Sequence, residues 1–222
     1  MSGYFLQLLT SIWVTLQVAL TALILGLLLG LLGASAKLSN YRLLGQIITV
    51  LTNIIRSLPE LLILFFVYYG STILLSNLFD TYIEVNAFIA SVIALSLIFG
   101  AYASETIRGA FAAIPRGQWE AAKAFGFSKL NTLLRIILPQ LWVHALPGLG
   151  NLWFILLKDT ALIALIGLPD IMRIAQNISA STQKPFLIYS SAALIYLTLT
   201  SLSLYGQKKL EKYCSRHLQE SY

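Results

Sequence analysis

The sequence predicts an all-α integral membrane protein with about five membrane-spanning helices and its amino terminus outside. Three observations predict it. Of 222 residues, 58% are hydrophobic and only 11% charged, with a mean hydropathy of +0.79, so lipid is the economical solvent for so apolar a surface. The apolar residues fall into a handful of runs at or above the roughly 20 residues that a helix needs to cross a bilayer. Lysine and arginine collect in alternate connections between those runs, the pattern that sets orientation during membrane insertion.

The first run, residues 8–32, has no basic residue in front of it and reads as a retained span, not a cleaved signal peptide. Its glycines at 26, 30 and 33 let a membrane helix pack closely on another. The second run, residues 43–75, is too long for one straight crossing at about 1.5 Å per residue. It holds Arg56, Ser57, Leu58, Pro59 and Glu60 in its middle. Proline suits a helix's first turn and not its interior, so a break precedes Pro59 and a new helix starts there. Irregular backbone at membrane depth survives only beside protein or a watery cavity. Residues 85–107, 141–166 and 186–205 supply the remaining spans.

Lys37 and Arg42 follow the first run; Arg108, Arg116, Lys123, Lys129 and Arg135 separate the third from the fourth; Lys208, Lys209, Lys212 and Arg216 follow the fifth. These connections are assigned to the cytosol. The opposite ones hold Asp80, Glu84, Asp170, Arg173 and Lys184, a nearly balanced set. The net charge of +6 therefore follows from topology and anionic lipid. With no aromatic-interleaved basic patch, it argues against nucleic acid as a partner. Residues 1–222 form a single domain, and the lone Cys214 makes no internal disulfide.

Between the third and fourth runs lies the long polar segment of the chain. Residues 116–125 favour a helix that ends at Gly126, the residue best able to adopt a left-handed cap. Ser128 caps a second helix, Leu130, Leu133, Leu134 and Ile137 give it an apolar stripe, and Pro139 falls near its end. The product is a cytosolic helix-turn-helix at about 115–139. Ala121 and Ala122 offer a small-residue face, and Glu120 offers a carboxylate that an arginine can grip with two hydrogen bonds. Such a knuckle suits docking.

Glu120-Ala121-Ala122, Gly126, Ile136 and Leu138-Pro139 resemble, element for element, the Glu-Ala-Ala loop of the membrane subunits of ATP-binding-cassette importers. Ala101-Tyr102-Ala103-Ser104-Glu105, Arg108-Gly109, Ile114-Pro115-Arg116-Gly117-Gln118, Leu146-Pro147, Asn151 and Lys158-Asp159-Thr160 look like its polar amino-acid branch, above all the arginine and histidine permeases. The resemblance covers nearly the whole chain and is densest over residues 96–167. It implies a type I importer transmembrane fold in the bacterial cytoplasmic membrane. The implied function is that of a permease subunit for a cationic amino acid, arginine foremost, with histidine or another polar amino acid as the alternative. The implied partners are an ATPase dimer gripping Glu120, Ala121, Ala122, Gly126, Gly117 and Gln118, a second permease, identical or homologous, and a periplasmic or extracellular amino-acid-binding protein. No glycine-rich loop ends in Gly-Lys-Ser or Gly-Lys-Thr, so ATP belongs to the partner and no cofactor is expected here.

An ionisable residue at the centre of a span costs on the order of 2.5 to 3.5 kcal/mol unless it faces a partner or water. Asp159, with Thr160 beside it, reads as lining the translocation pathway, or else as a structural partner of Lys158. Glu105 lies three residues before Arg108. It is either half of an interfacial ion pair or, if its span runs on to about Phe111, a second acid, and the resemblance favours the second. Two carboxylates in a water-poor cavity suit a guanidinium. The solute's own carboxylate needs donors, which Arg56, Ser57 and the free amides of the helix beginning at Pro59 supply. Arg56 equally reads as a clamp on the break, and Glu60 as an acid complementing a helix dipole.

The chain departs from the family pattern near this presumed cavity, with Ser57 and Leu58 for glycine and threonine, Ile98 for asparagine and Ala161 for serine. His144 and His217 have no cysteine or acid at ligand spacing, so no metal site is expected. No histidine is placed to activate a hydroxyl, which leaves an intramembrane enzyme without machinery. The other alternative is an ion-coupled secondary carrier. It leaves the hairpin unexplained, and the two similar halves common in such carriers are not evident.

Overall fold

The computed structural model describes the backbone of residues 2–219 and the side chains of 3–214, so those of Arg216 and His217 lie outside the described residues. Among the described residues there are eight helices: α1 (Ser2–Leu38), α2 (Arg42–Ser57), α3 (Glu60–Phe79), α4 (Ala87–Ala112), α5 (Arg116–Ala124), α6 (Lys129–Ile166), α7 (Ile171–Thr182) and α8 (Pro185–Gln219). Five of them, α1, α3, α4, α6 and α8, are long and apolar enough to cross a membrane.

The core is built on α4. Asn86 caps it by accepting from the Phe88 and Ile89 amides at 2.9 and 3.3 Å, and Ala90, Ala94, Leu95, Ile98, Ala103 and Ile107 are buried along it. It packs most extensively on α1. A β-carbon added at Gly30 of α1 would stand 2.7 Å from the Ala103 Cβ, and one at Gly26 would stand 2.8 Å from the Phe99 ring. The two backbones therefore meet at a separation that only glycine permits, as the spacing in the first run led one to expect.

The second run does break at Pro59, which occupies the position just before α3 while Ser57 ends α2. The pieces are not two halves of one span. Helix α2 carries a polar stripe of Arg42, Gln46, Thr49, Asn53 and Arg56 opposite exposed Leu43, Leu44, Ile47, Leu51 and Ile54. So many polar groups in lipid would be prohibitive, and an amphipathic helix is the result. The membrane-length helix is α3 alone, which runs through a π-helical turn at Phe66–Gly70 and reaches Phe79 instead of stopping at 75.

The fourth run also differs from expectation. It starts at Lys129, not at residue 141, because the hairpin's second helix does not end near Pro139 but continues to Ile166. A π-helical turn at Leu133–Ile137 resets the hydrogen-bond ladder, and Pro139 sits in the first turn after it, where a missing N–H is tolerated. The Gln140 side-chain amide donates to the Ile136 carbonyl at 2.9 Å.

Two apolar clusters result. The main one joins α1, α3, α4 and α6. A second, made of Leu8, Ile171, Ala175, Ile178, Ile188, Ala192 and Ile195, fastens α7 to α1 and α8. Asp170, fully buried, caps α7 by accepting from the Arg173 and Met172 amides at 2.8 and 3.2 Å. Burial pushes its carboxyl up to about 6 although those hydrogen bonds pull the other way.

Candidate functional site

The hairpin is closed by local geometry. Gly126 is left-handed at φ 75°. Its amide donates to the Lys123 carbonyl and that of Phe127 to the Ala122 carbonyl, both at 3.0 Å, the pair of hydrogen bonds that ends a helix at a left-handed residue. Ser128 then accepts from the Asn131 amide at 3.3 Å and starts α6. Gln140 on α6 donates to the side-chain oxygen of Gln118 on α5 at 3.3 Å, so Gln118 braces the hairpin from within.

The two alanines part company here. Ala122 is buried while Ala121 is exposed, so the exposed small-residue face is narrower than the sequence implied. Glu120 is exposed, and no described residue pairs with it. Gly117 is exposed with open space around it. Sequence reasoning missed the most exposed apolar side chain at the turn: Phe125 is 84% exposed, beside exposed Leu130 and Leu134. Its signal was a phenylalanine directly before the capping glycine in a polar segment.

Within the spans, Asp159 borders a recess of about 10 Å³ lined by Ile98, Tyr102, Leu152 and Leu156, room for about one water and not for an amino acid. Glu60, at the start of α3, lies close enough for its charge to act on Asp159. Read from sequence, Glu60 was only a complement to a helix dipole; what brings it to Asp159 is the packing of α3 against the end of α6.

Glu105 is placed differently. Helix α4 does run past Phe111 to Ala112, yet both carboxylate oxygens are taken: Oε1 accepts from Lys37 Nζ at 2.7 Å, and Oε2 from Arg108 Nε at 2.9 Å. It is no free second acid. Lys37, expected in a cytosolic loop, belongs to α1 and is buried. Thr160 is fully buried, its hydroxyl donating to the Leu157 carbonyl at 2.6 Å, and it does not line the recess. Ser57 donates to the Asn53 carbonyl at 2.7 Å.

The polar stripe of α2 borders an open cleft of about 940 Å³, with Glu105 and Arg108 on its other wall. Tyr102 stands between cleft and recess. Its ring carries the Arg56 guanidinium 5.2 Å from the centroid, and its hydroxyl donates to the Arg56 carbonyl at 3.3 Å. Arg56 makes no side-chain hydrogen bond to a described residue, so its five N–H donors remain available.

A family model described as the binding-protein-dependent transport system inner membrane component matches residues 7–213. The sequence is similar to the arginine ABC transporter permease protein ArtQ of Haemophilus influenzae, at 50% identity over 202 residues, covering 91% of this chain and 90% of that one. It is also similar to the histidine/lysine/arginine/ornithine transport system permease protein HisQ of Salmonella typhimurium, at 43% over 194 residues, covering 86% and 85%. A solved structure described as an amino acid ABC transporter with histidines superposes with a TM-score of 0.85 at 30% identity, covering 96% of each chain.

Proposed function

The chain belongs to the family of binding-protein-dependent transport system inner membrane components, and from that premise we propose that it is the permease subunit of an ABC importer that carries a cationic amino acid, arginine foremost. The amino terminus lies outside and the hairpin in the cytosol. A separate ATPase dimer grips Glu120, Ala121, Gly117 and Phe125. A second permease completes the pathway, and an external binding protein delivers the solute.

The observation that carries this reading is the continuity of α6. The hairpin's second limb is the same helix that carries Asp159, roughly 45 Å away at 1.5 Å per residue. Movement imposed on the hairpin by closure of the ATPases is thus delivered to the acid that meets the solute, re-orienting the cavity from outside to inside. Asp159 and Glu60 together hold the cationic group, since two mutually repelling carboxylates with few waters gain most from a shared guanidinium. Arg56, across Tyr102, receives the solute's carboxylate. The relatives named for arginine and for histidine, lysine, arginine and ornithine support a cationic solute.

Reconstitution with its ATPase and binding protein in proteoliposomes tests the reading. Uptake of labelled arginine should require ATP, survive an ionophore and be competed by other cationic amino acids. Uptake that ignores ATP and collapses with the ionophore would establish an ion-coupled carrier instead.

A further inference from the structure

Four side chains from four elements meet at the seam between the two apolar clusters. They are Thr15 of α1, Thr160 of α6, Asp170 at the cap of α7 and Tyr196 of α8. Thr15, Thr160 and Asp170 are fully buried. The Thr15 hydroxyl donates to the Ser11 carbonyl and accepts from the Ile171 amide, both at 3.3 Å. The Thr160 hydroxyl proton is committed to Leu157, and the Asp170 carboxylate accepts from two amides of α7. The Tyr196 hydroxyl is different. The side chains of Thr15, Thr160 and Asp170 lie close enough to influence it, yet the hydroxyl is buried with none of them in hydrogen-bonding alignment.

Tyr196 thus holds the one uncommitted proton of the group, with three acceptors competing for it. A buried hydroxyl left unbonded is costly, so a small relative shift of the helices that completes any one of these bonds is favoured. The choice has consequences because Thr160 adjoins Asp159, and the backbone tightens from α-helical to 3₁₀ between them.

We propose that Tyr196 is a positioning residue for the solute site: given to Thr160, its proton holds the end of α6 and the aim of Asp159; given to Asp170, it frees that end and ties α8 to α7. This rests on Asp159 being a solute ligand. Because α7 and α8 share the second cluster while α6, which carries Thr160, belongs to the first, a displacement of α7 relative to the main core decides between the two bonds. Tyr196 touches no solute and acts through Thr160.

The test uses the complete transporter in proteoliposomes. Tyr196→Phe keeps the ring and removes the proton; Thr160→Val keeps the shape and removes the acceptor. Each should raise the external KM for labelled arginine about fivefold, the worth of one ordinary hydrogen bond, with uptake at saturation largely kept. The double variant should be no worse than either single one, because both remove the same bond. An unchanged KM, effects that multiply, or a loss of saturated uptake and thermal stability at constant KM would each overturn the proposal. Asp159→Asn separates the two failures. If it leaves arginine uptake untouched, the solute site has been misread and Tyr196 falls with it; if it raises KM while Tyr196→Phe does not, only the role of Tyr196 is lost.

Discussion

The Lys37 ammonium lies 2.7 Å from Glu105 Oε1, with the Lys37 side chain 2% exposed and that of Glu105 20% exposed. Its other protons go to Thr52 Oγ1 at 2.7 Å and Ser104 Oγ at 2.9 Å, so one buried cation ties α1, α2 and α4 together. Arg108 holds the second oxygen of Glu105 at 2.8 Å.

Breaking this cluster should cost stability and not solute recognition. Glu105→Gln leaves Lys37 buried without its counter-charge, a loss of about 3 kcal/mol for a buried pair. Lys37→Met should cost less, since Arg108 still compensates Glu105. Thermal unfolding of the solubilised protein ranks the two variants. A raised KM for arginine in Glu105→Gln would return Glu105 to the solute site.

Gly30→Ala should destabilise by about 1 to 3 kcal/mol, the usual cost of overpacking, because its new Cβ would lie 2.7 Å from that of Ala103. Gly109→Ala, with nothing within 4 Å, serves as the control. Equal unfolding temperatures for the two variants would mean that α1 and α4 do not meet through Gly30.

Phe125→Ala and Glu120→Lys should each weaken capture of the ATPase by more than tenfold, about 2 kcal/mol for a central contact residue. Both side chains are exposed, so the unfolding temperature should not move. Pull-down at graded ATPase concentration reads the affinity. Retention of wild-type binding by both variants would leave the hairpin without its partner.

Arg56→Gln should raise the KM for arginine about tenfold, the loss of one charge-assisted hydrogen bond, while a decarboxylated analogue of arginine should be transported as before. Asp159→Asn should penalise both, because both carry the guanidinium. A uniform loss in Arg56→Gln points to a clamp at the break and not to a carboxylate acceptor.

Burial of Asp170 sets the sign of a pH dependence. Its carboxyl is raised from 3.8 to about 6 by burial, so the folded protein binds the proton more tightly than the unfolded chain. The stability this adds is complete below about pH 4 and is lost as pH rises through about 6. Asp170→Asn keeps an acceptor for the α7 amides and should flatten the unfolding temperature over that window. Asp170→Ala, with no cap, should lose about 1 kcal/mol at every pH. A slope in Asp170→Asn as steep as in the parent chain assigns the titration to another group.

The hairpin was legible because its instructions are local. A left-handed glycine, a serine cap two residues later and an apolar stripe act over single turns, and the structure forms each where the residues stand. The break at Pro59 is local in the same sense. Pro139 alone signals a stop, but the helix continues because the π-helical turn just before it makes room for the proline.

The charged residues of the spans followed another logic. Composition and spacing determined that this chain is a bundle of membrane helices with a polar helical hairpin, since solvent preference and helix capping are properties of short segments. Which acid stays free was decided only when the helices packed. Lys37 reaches Glu105 across 68 positions, and Glu60 comes to Asp159 from another helix, because the partner of a buried charge is set by the depth and angle at which two helices cross, quantities that no one segment contains.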